Sequence, residues 1–189
     1  MVAGALAPEH RARVGEILGA AGVFRAAEVA VGLELFDCAF GEGGGFGANA
    51  EGYAFVGAFV DELSEAGRRT PEGRLKAVGA LAGFACWGRT PGCSGTYDLY
   101  WLAVDPAVQG AGAGSVLVGE VERRVASEGG RLIVIEVSGS PHSDGARRFY
   151  ERQAYVPVAT VRNFYAPGDD RIIYTKRVPR TTGGGGADA

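Results

Sequence analysis

Little in this chain could hold a metal ion or cross-link a fold. It has two histidines and three cysteines (Cys38, Cys86, Cys93) in 189 residues, and none of them falls at metal-ligand spacing. No structural zinc site, disulfide scaffold or metal cofactor is expected. No apolar run reaches bilayer-spanning length, and no basic stretch precedes an apolar one at the N-terminus. The chain reads as neither membrane-bound nor exported, with the reducing cytoplasm as its default location. An excess of positive charge is also missing: 19 Lys and Arg stand against 22 Asp and Glu, a net charge of −3, and the arginines are scattered. That removes the usual reason to expect a nucleic-acid partner.

Glycine, by contrast, is abundant at 32 residues, gathered around positions 41–47, near position 110 and at 183–186. Hydrophobic and charged fractions of 47% and 22% suit an ordinary globular chain, and the length suits one domain with a sizeable core. The expected organisation is a single domain over residues 1–178, followed by a disordered, Gly-rich tail over 179–189.

Periodicity places the elements. Pro8–Ala20 and Ala26–Phe40 repeat apolar residues at helical spacing, Val14, Ile17 and Leu18 in the first and Val29, Leu33 and Phe36 in the second. A connector over Gly41–Gly52 leads to strands at Tyr53–Val60 and Lys76–Trp87, with a polar loop Asp61–Arg74 between them. Tyr97–Val104 is a third strand. Ala113–Glu128 is a helix with Leu117, Val121 and Val125 on one face. Arg131–Val137 is nearly all apolar, the pattern of a strand covered on both faces. A short helix at Asp144–Gln153 and strands at Tyr155–Tyr165 and Arg171–Arg177, joined by a loop at Ala166–Asp170, complete the order. Met1–Ala7 shows no strand pattern.

The most informative stretch is Leu99–Gly114, where an apolar strand enters a Gly-rich turn and a helix follows at once. Such a turn leaves backbone N–H groups free at a helix N-terminus, where the helix dipole favours a phosphate or pyrophosphate. No Lys-Ser/Thr follows, so a nucleotide P-loop is excluded. Gly110, Gly112 and Gly114 fall at every second residue, so the dinucleotide-binding spacing is excluded as well.

Gln109-x-x-Gly112-x-Gly114 after a strand closely resembles the pyrophosphate loop of the GNAT superfamily of acetyl-CoA-dependent N-acyltransferases. Two further segments carry the resemblance: Val104-Asp105-Pro106 at the strand end, and Ala146-Arg147-Arg148-Phe149-Tyr150 followed by Ala154-Tyr155. The likeness departs where Ala154 stands for a usual Gly and Ser143 for a frequent Asn. It implies an α/β (α+β) fold with a mixed, mostly antiparallel sheet flanked by helices. It also implies acetyl-CoA as cosubstrate, its pantetheine arm along Leu102, Ala103 and Val104. The pyrophosphate would lie on Gln109, Gly110, Ala111, Gly112, Ala113, Gly114 and Ser115.

By the same resemblance Tyr150 is the general acid that protonates the departing thiolate. Glu136, in Ile135-Glu136-Val137, matches the general base of the ribosomal-protein N-terminal alanine acetyltransferases. Its alternative role is an ion pair with Arg147 or Arg148, and Asp98 and His142 are rival bases. No acyl-enzyme is required, so Cys86 and Cys93 are not nucleophile candidates. Arg162–Asp170 partly resembles the closing hairpin of those enzymes, which makes Tyr165 a candidate acceptor contact. Glu28, Glu34 and Asp37 give the helix pair an acidic wall suited to a cationic amine, and Glu34 is the candidate contact there. The partner is then an amine acceptor, small molecule or protein, and the chain a monomer or homodimer. Two other readings stay open: a regulatory acyl-CoA-binding module without turnover, and a protein-interaction domain in which the Gly loop is only a turn.

Overall fold

The computed structural model describes residues 1–40, 52–61 and 78–179. A seven-stranded sheet organises them. Its strands are β1 (Val2–Gly4), β2 (Tyr53–Phe59), β3 (Leu81–Arg89), β4 (Thr96–Val104), β5 (Leu132–Ser138), β6 (Val156–Ala166) and β7 (Asp169–Arg177). Their order across the sheet is β1-β2-β3-β4-β5-β7-β6. Every neighbouring pair is antiparallel except β4 and β5, which run parallel. Four α-helices accompany the sheet: α1 (Arg11–Ala20), α2 (Ala26–Phe40), α3 (Ala113–Ser127) and α4 (Asp144–Arg152). The mixed, mostly antiparallel sheet with flanking helices is as the sequence implied.

Four local expectations are corrected. A strand is present at the N-terminus: β1 pairs Val2, Ala3 and Gly4 with Phe59, Ala58 and Gly57. Three residues are too few for alternation to show. Pro8–Ala20 is a single 3₁₀ turn (Pro8–His10) before α1, with Pro8 at its first position. The loop expected at Ala166–Asp170 is the tight turn Pro167-Gly168, where Gly168 takes φ +83°. β5 is covered on one face only: Ile133, Ile135 and Val137 are buried, while Glu136 on the other face is exposed. The connector and polar-loop positions 41–51 and 62–77, with the tail positions 180–189, lie outside the described residues.

The sheet separates two apolar cores. On one face α3 buries Leu117, Val121 and Val125 against Val56, Ala85, Trp87, Ile133 and Ile135. On the other α1 and α2 bury Val14, Ile17, Leu18 and Phe36 against Phe55, Phe84 and Leu6. β3 lies between β2 and β4 with a core on each face, so eight of its nine residues are buried. Each fully buried Leu or Ile contributes about 1.5–3 kcal/mol relative to exposure, so these helices are fixed by their apolar faces.

Asp105 ties the end of β4 to α1. Its Oδ1 accepts the Ala107 N–H at 2.8 Å, and its Oδ2 accepts the Arg13 guanidinium, whose Nε also donates to the Leu81 carbonyl at 3.2 Å. Arg13 also pairs with Glu16 at 2.8 Å, so loss of Asp105 removes the Ala107 cap and the tie between β4 and α1 without stranding the guanidinium. Asp105→Ala is expected to lower the unfolding free energy by about 1–3 kcal/mol in urea titrations. Asp105→Asn, which keeps the cap on Ala107, is expected to lose less. Equal losses would show that the Arg13 contact contributes all of the effect.

Candidate functional site

The parallel pairing of β4 with β5 stops after three residue pairs, Thr96–Leu132, Tyr97–Ile133 and Asp98–Val134. Both strands continue beyond that point, to Val104 and Ser138, without pairing to each other. The cause sits on the other edge of β4. Trp87 pairs with Leu99 and Cys86 with Trp101, so Tyr100 is an extra, unpaired residue. Such a bulge bends and twists its strand, here at the place where the parallel ladder ends. It also puts Tyr100 and Trp101 together on the α1/α2 face.

The open side of β4 has main-chain groups to offer. Asp105 N–H donates to the Ala82 carbonyl at 2.8 Å. Antiparallel partners alternate in direction, so Ala103 and Trp101 likewise turn their groups to β3. Leu102 and Val104 turn theirs into the split. Of the three strand residues singled out in the sequence, two thus present free groups, and Ala103 is buried against the helix pair.

The Gly loop follows at once. Pro106–Val108 form a 3₁₀ turn, then Gly110 and Gly112 take φ +81° and +88° and α3 begins at Ala113. A side chain rarely adopts those dihedrals, which explains glycine at 110 and 112. Gly114 is there for a different reason: a Cβ would lie 3.1 Å from the Phe149 ring of α4. The N–H groups of Gly110, Gly112, Ala113, Gly114 and Ser115 take no acceptor among the described residues. Gln109 is exposed beside them, and Ser115 Oγ accepts Gln153 Nε2 at 3.0 Å. These donors converge at a helix N-terminus, a geometry suited to a pyrophosphate.

Phe149 brings Tyr150 to the same end of the sheet. The Tyr150 ring is buried, edge-on to Phe149 and Tyr155 with centroids 5.2 and 5.8 Å away. Its hydroxyl has no hydrogen-bond partner among the described residues, and burial pushes its pKa above the ordinary phenol value. α4 closes with Tyr155 N–H bonded to the Tyr150 carbonyl at 3.0 Å and with Ala154 at φ +64°. That left-handed position is where the resemblance has glycine.

Glu136 lies two residues past the last β4–β5 pair, on the α1/α2 face of the sheet. Its ion-pair partner is neither Arg147 nor Arg148. Arg171 of β7 makes that contact, its Nη2 standing 2.9 Å from Glu136 Oε2. Arg147 instead donates to the Ser138 and Ser140 carbonyls at 2.5 and 2.9 Å and pairs with Asp144, fastening the end of β5 to α4. Asp98 accepts the Thr90 hydroxyl at 2.8 Å where the two strands are still joined. His142 is exposed in a 3₁₀ turn. Burial raises the Cys86 thiol pKa, which fits packing rather than nucleophilic chemistry.

Tyr165 is half-buried, 5.0 Å from Phe164, and within electrostatic reach of Arg25 just before α2. The hairpin turn and the start of α2 therefore lie within electrostatic reach of each other. Of the three acidic helix residues, Glu28 pairs with Arg25 and Asp37 with Arg11. Glu34 is exposed, two residues and so about 200° around the helix from the buried Phe36. The structure does not bring it to the other candidates. The sequence reading missed Arg171, because a cross-strand partner leaves no local spacing to find.

Among the described residues no cluster of three or more His, Cys, Asp or Glu could hold a metal, and no helix is long and apolar enough to cross a membrane. The sequence profile of the acetyltransferase (GNAT) family matches residues 49–155. A Desulfovibrio desulfuricans protein assigned to the same family is 35% identical over 94% of this chain and 100% of its own, with a TM-score of 0.78. The ribosomal-protein-S18-alanine N-acetyltransferase of Escherichia coli is 19% identical over 94% of this chain and 93% of its own, at TM-score 0.64. An aminoglycoside 6′-N-acetyltransferase solved with coenzyme A is 17% identical over 95% and 98%, at TM-score 0.68. No curated protein sequence matches.

Two substitutions with opposite outcomes test the backbone geometry of the site. Ala154→Gly relieves a left-handed alanine on an exposed turn and is expected to raise stability by about 0.5–1 kcal/mol. Gly112→Ala imposes the same strain and is expected to lower it by a similar amount. Thermal denaturation at constant pH reads both.

Proposed function

The chain belongs to the GNAT family of acetyltransferases, and from that premise we propose that it transfers an acetyl group from acetyl-CoA to a primary amine by direct attack. The observation that carries the reading is the split between β4 and β5, with free main-chain groups on one side and a Gly loop at a helix N-terminus beside it. The residues present fit the cosubstrate: Leu102 and Val104 offer the pairing of a missing strand, and five N–H groups without an acceptor among the described residues suit a pyrophosphate. When bound, acetyl-CoA supplies the reactive thioester.

The remaining steps belong to the chain. Leu102 and Val104 hold the pantetheine arm as a short added strand, and their N–H groups stabilise charge developing on the acetyl oxygen. Glu136 accepts the proton that the amine must lose, directly or through a water. Tyr150 donates its hydroxyl proton to the departing sulfur. Because burial raises its pKa, Tyr150 stays protonated through neutral pH and acts as an acid there. Tyr165 contributes to the acceptor wall. A primary amine also suits what two structural relatives act on by name, an aminoglycoside and the alanine of a ribosomal protein.

The test is free-thiol release from acetyl-CoA across a panel of amines, aminoglycosides and short peptides. Release that depends on one acceptor class is expected, with Tyr150→Phe lowering kcat about 10²-fold or more while CoA affinity by calorimetry is unchanged. Tight CoA binding without acceptor-dependent release would instead identify a binding module without turnover. Absence of CoA binding would overturn the reading of the Gly loop.

A further inference from the structure

The guanidinium of Arg171 is held on several sides at once. Nη2 reaches Glu136 Oε2 at 2.9 Å, and the guanidinium carbon lies 3.6 Å from the Phe164 ring centroid and 6.0 Å from that of Tyr165. Its Nε is buried and has no hydrogen-bond partner among the described residues. Burying such a donor unsatisfied is unfavourable. A group free to turn would take Nε to water, so the stack and the ion pair together outweigh that cost.

The stack exists because β6 is built to provide it. Val161 pairs with Arg171 and Ala166 with Asp169, so residues 162–165 oppose the single residue Asp170. Asp170 Oδ1 accepts the Asn163 N–H at 2.8 Å, Asn163 takes φ +53°, and its Oδ1 accepts the Gly168 N–H at 2.7 Å. A bulge of this kind re-aims a side chain, and the one it brings over Arg171 is Phe164. Arg171 pairs with Ser138 of β5, while Glu136 pairs with Ile173, so Arg171 is the diagonal cross-strand neighbour of Glu136 on the same face.

We propose that Arg171 is a positioning residue for the Glu136 carboxylate: clamped on Phe164, it holds the carboxylate in one orientation beside the split. The inference rests on the reading of Glu136 as the base. It gives the bulged, exposed Phe164 a task that burial does not explain. Lysine could keep the charge but not the planar stack.

Steady-state kinetics of R171M, R171K, E136Q and R171M/E136Q test this with the acceptor that supports release. R171M is expected to lower kcat roughly tenfold with the KM for acetyl-CoA unchanged, and R171K to recover only part. R171M should add no further loss to E136Q, because both act through one carboxylate. The same factor lost in the E136Q background, or no loss at all, would overturn the proposal. Full activity of E136Q would overturn the base assignment instead, so the two failures are distinct. A crystal structure of R171M supplies a readout independent of turnover: Glu136 is expected in several conformers, and a single unchanged conformer would refute the clamp.

Discussion

Three pairs of parallel hydrogen bonding, and then none, is the constraint on which the rest of this molecule depends. A parallel pair within an otherwise antiparallel sheet requires a crossover, and α3 is that crossover. Its apolar stripe of Leu117, Val121 and Val125 fixes it against the sheet. Its N-terminus is thereby delivered to the open end of β4. The extra residue Tyr100 bends β4 where pairing with β5 ceases. One irregularity thus creates both an unpaired strand edge and its position beside a helix terminus.

The Gly loop shows why residue type and spacing must be read together. Gly110 and Gly112 are demanded by backbone dihedrals, whereas Gly114 is demanded by the Phe149 ring. The third glycine therefore belongs to the contact between α3 and α4, and through that contact to the placement of Tyr150. Asp105 anchors the other end of the turn to α1 through Arg13. A loop with several free donors is consequently held from both sides by groups that do not face the split.

Legibility in the sequence follows the range of the interaction. The α3 stripe, the strand entering the Gly turn and the order of elements were all visible, because each is set by residues within one turn or one strand. β1 was not, since three residues carry no period. The candidate partners of Glu136 that the sequence offers, Arg147 and Arg148, are near in sequence, yet its partner is Arg171, brought close only by the β5–β7 register. The apolar run of β5 suggested cover on both faces. In fact α1 and α2 lie over β2, β3 and β4, so the face carrying Glu136 is left exposed. Glu34 illustrates the converse: its charge was legible, but the side of α2 it occupies depends on which face Phe36 buries.

The outermost strand has a consequence of another kind. β6 is an edge of eleven residues, ten of them exposed, with Val156, Val158, Val161 and Phe164 among the exposed apolar side chains. A long, flat edge of that composition invites another chain to add a strand. Here the register shifts once at Val158, next to a proline that has no N–H to give, and again over residues 162–165. No uninterrupted row of donors and acceptors runs along its length. The same irregularity that carries Phe164 to Arg171 therefore also interrupts the template on which the sheet could grow by self-association.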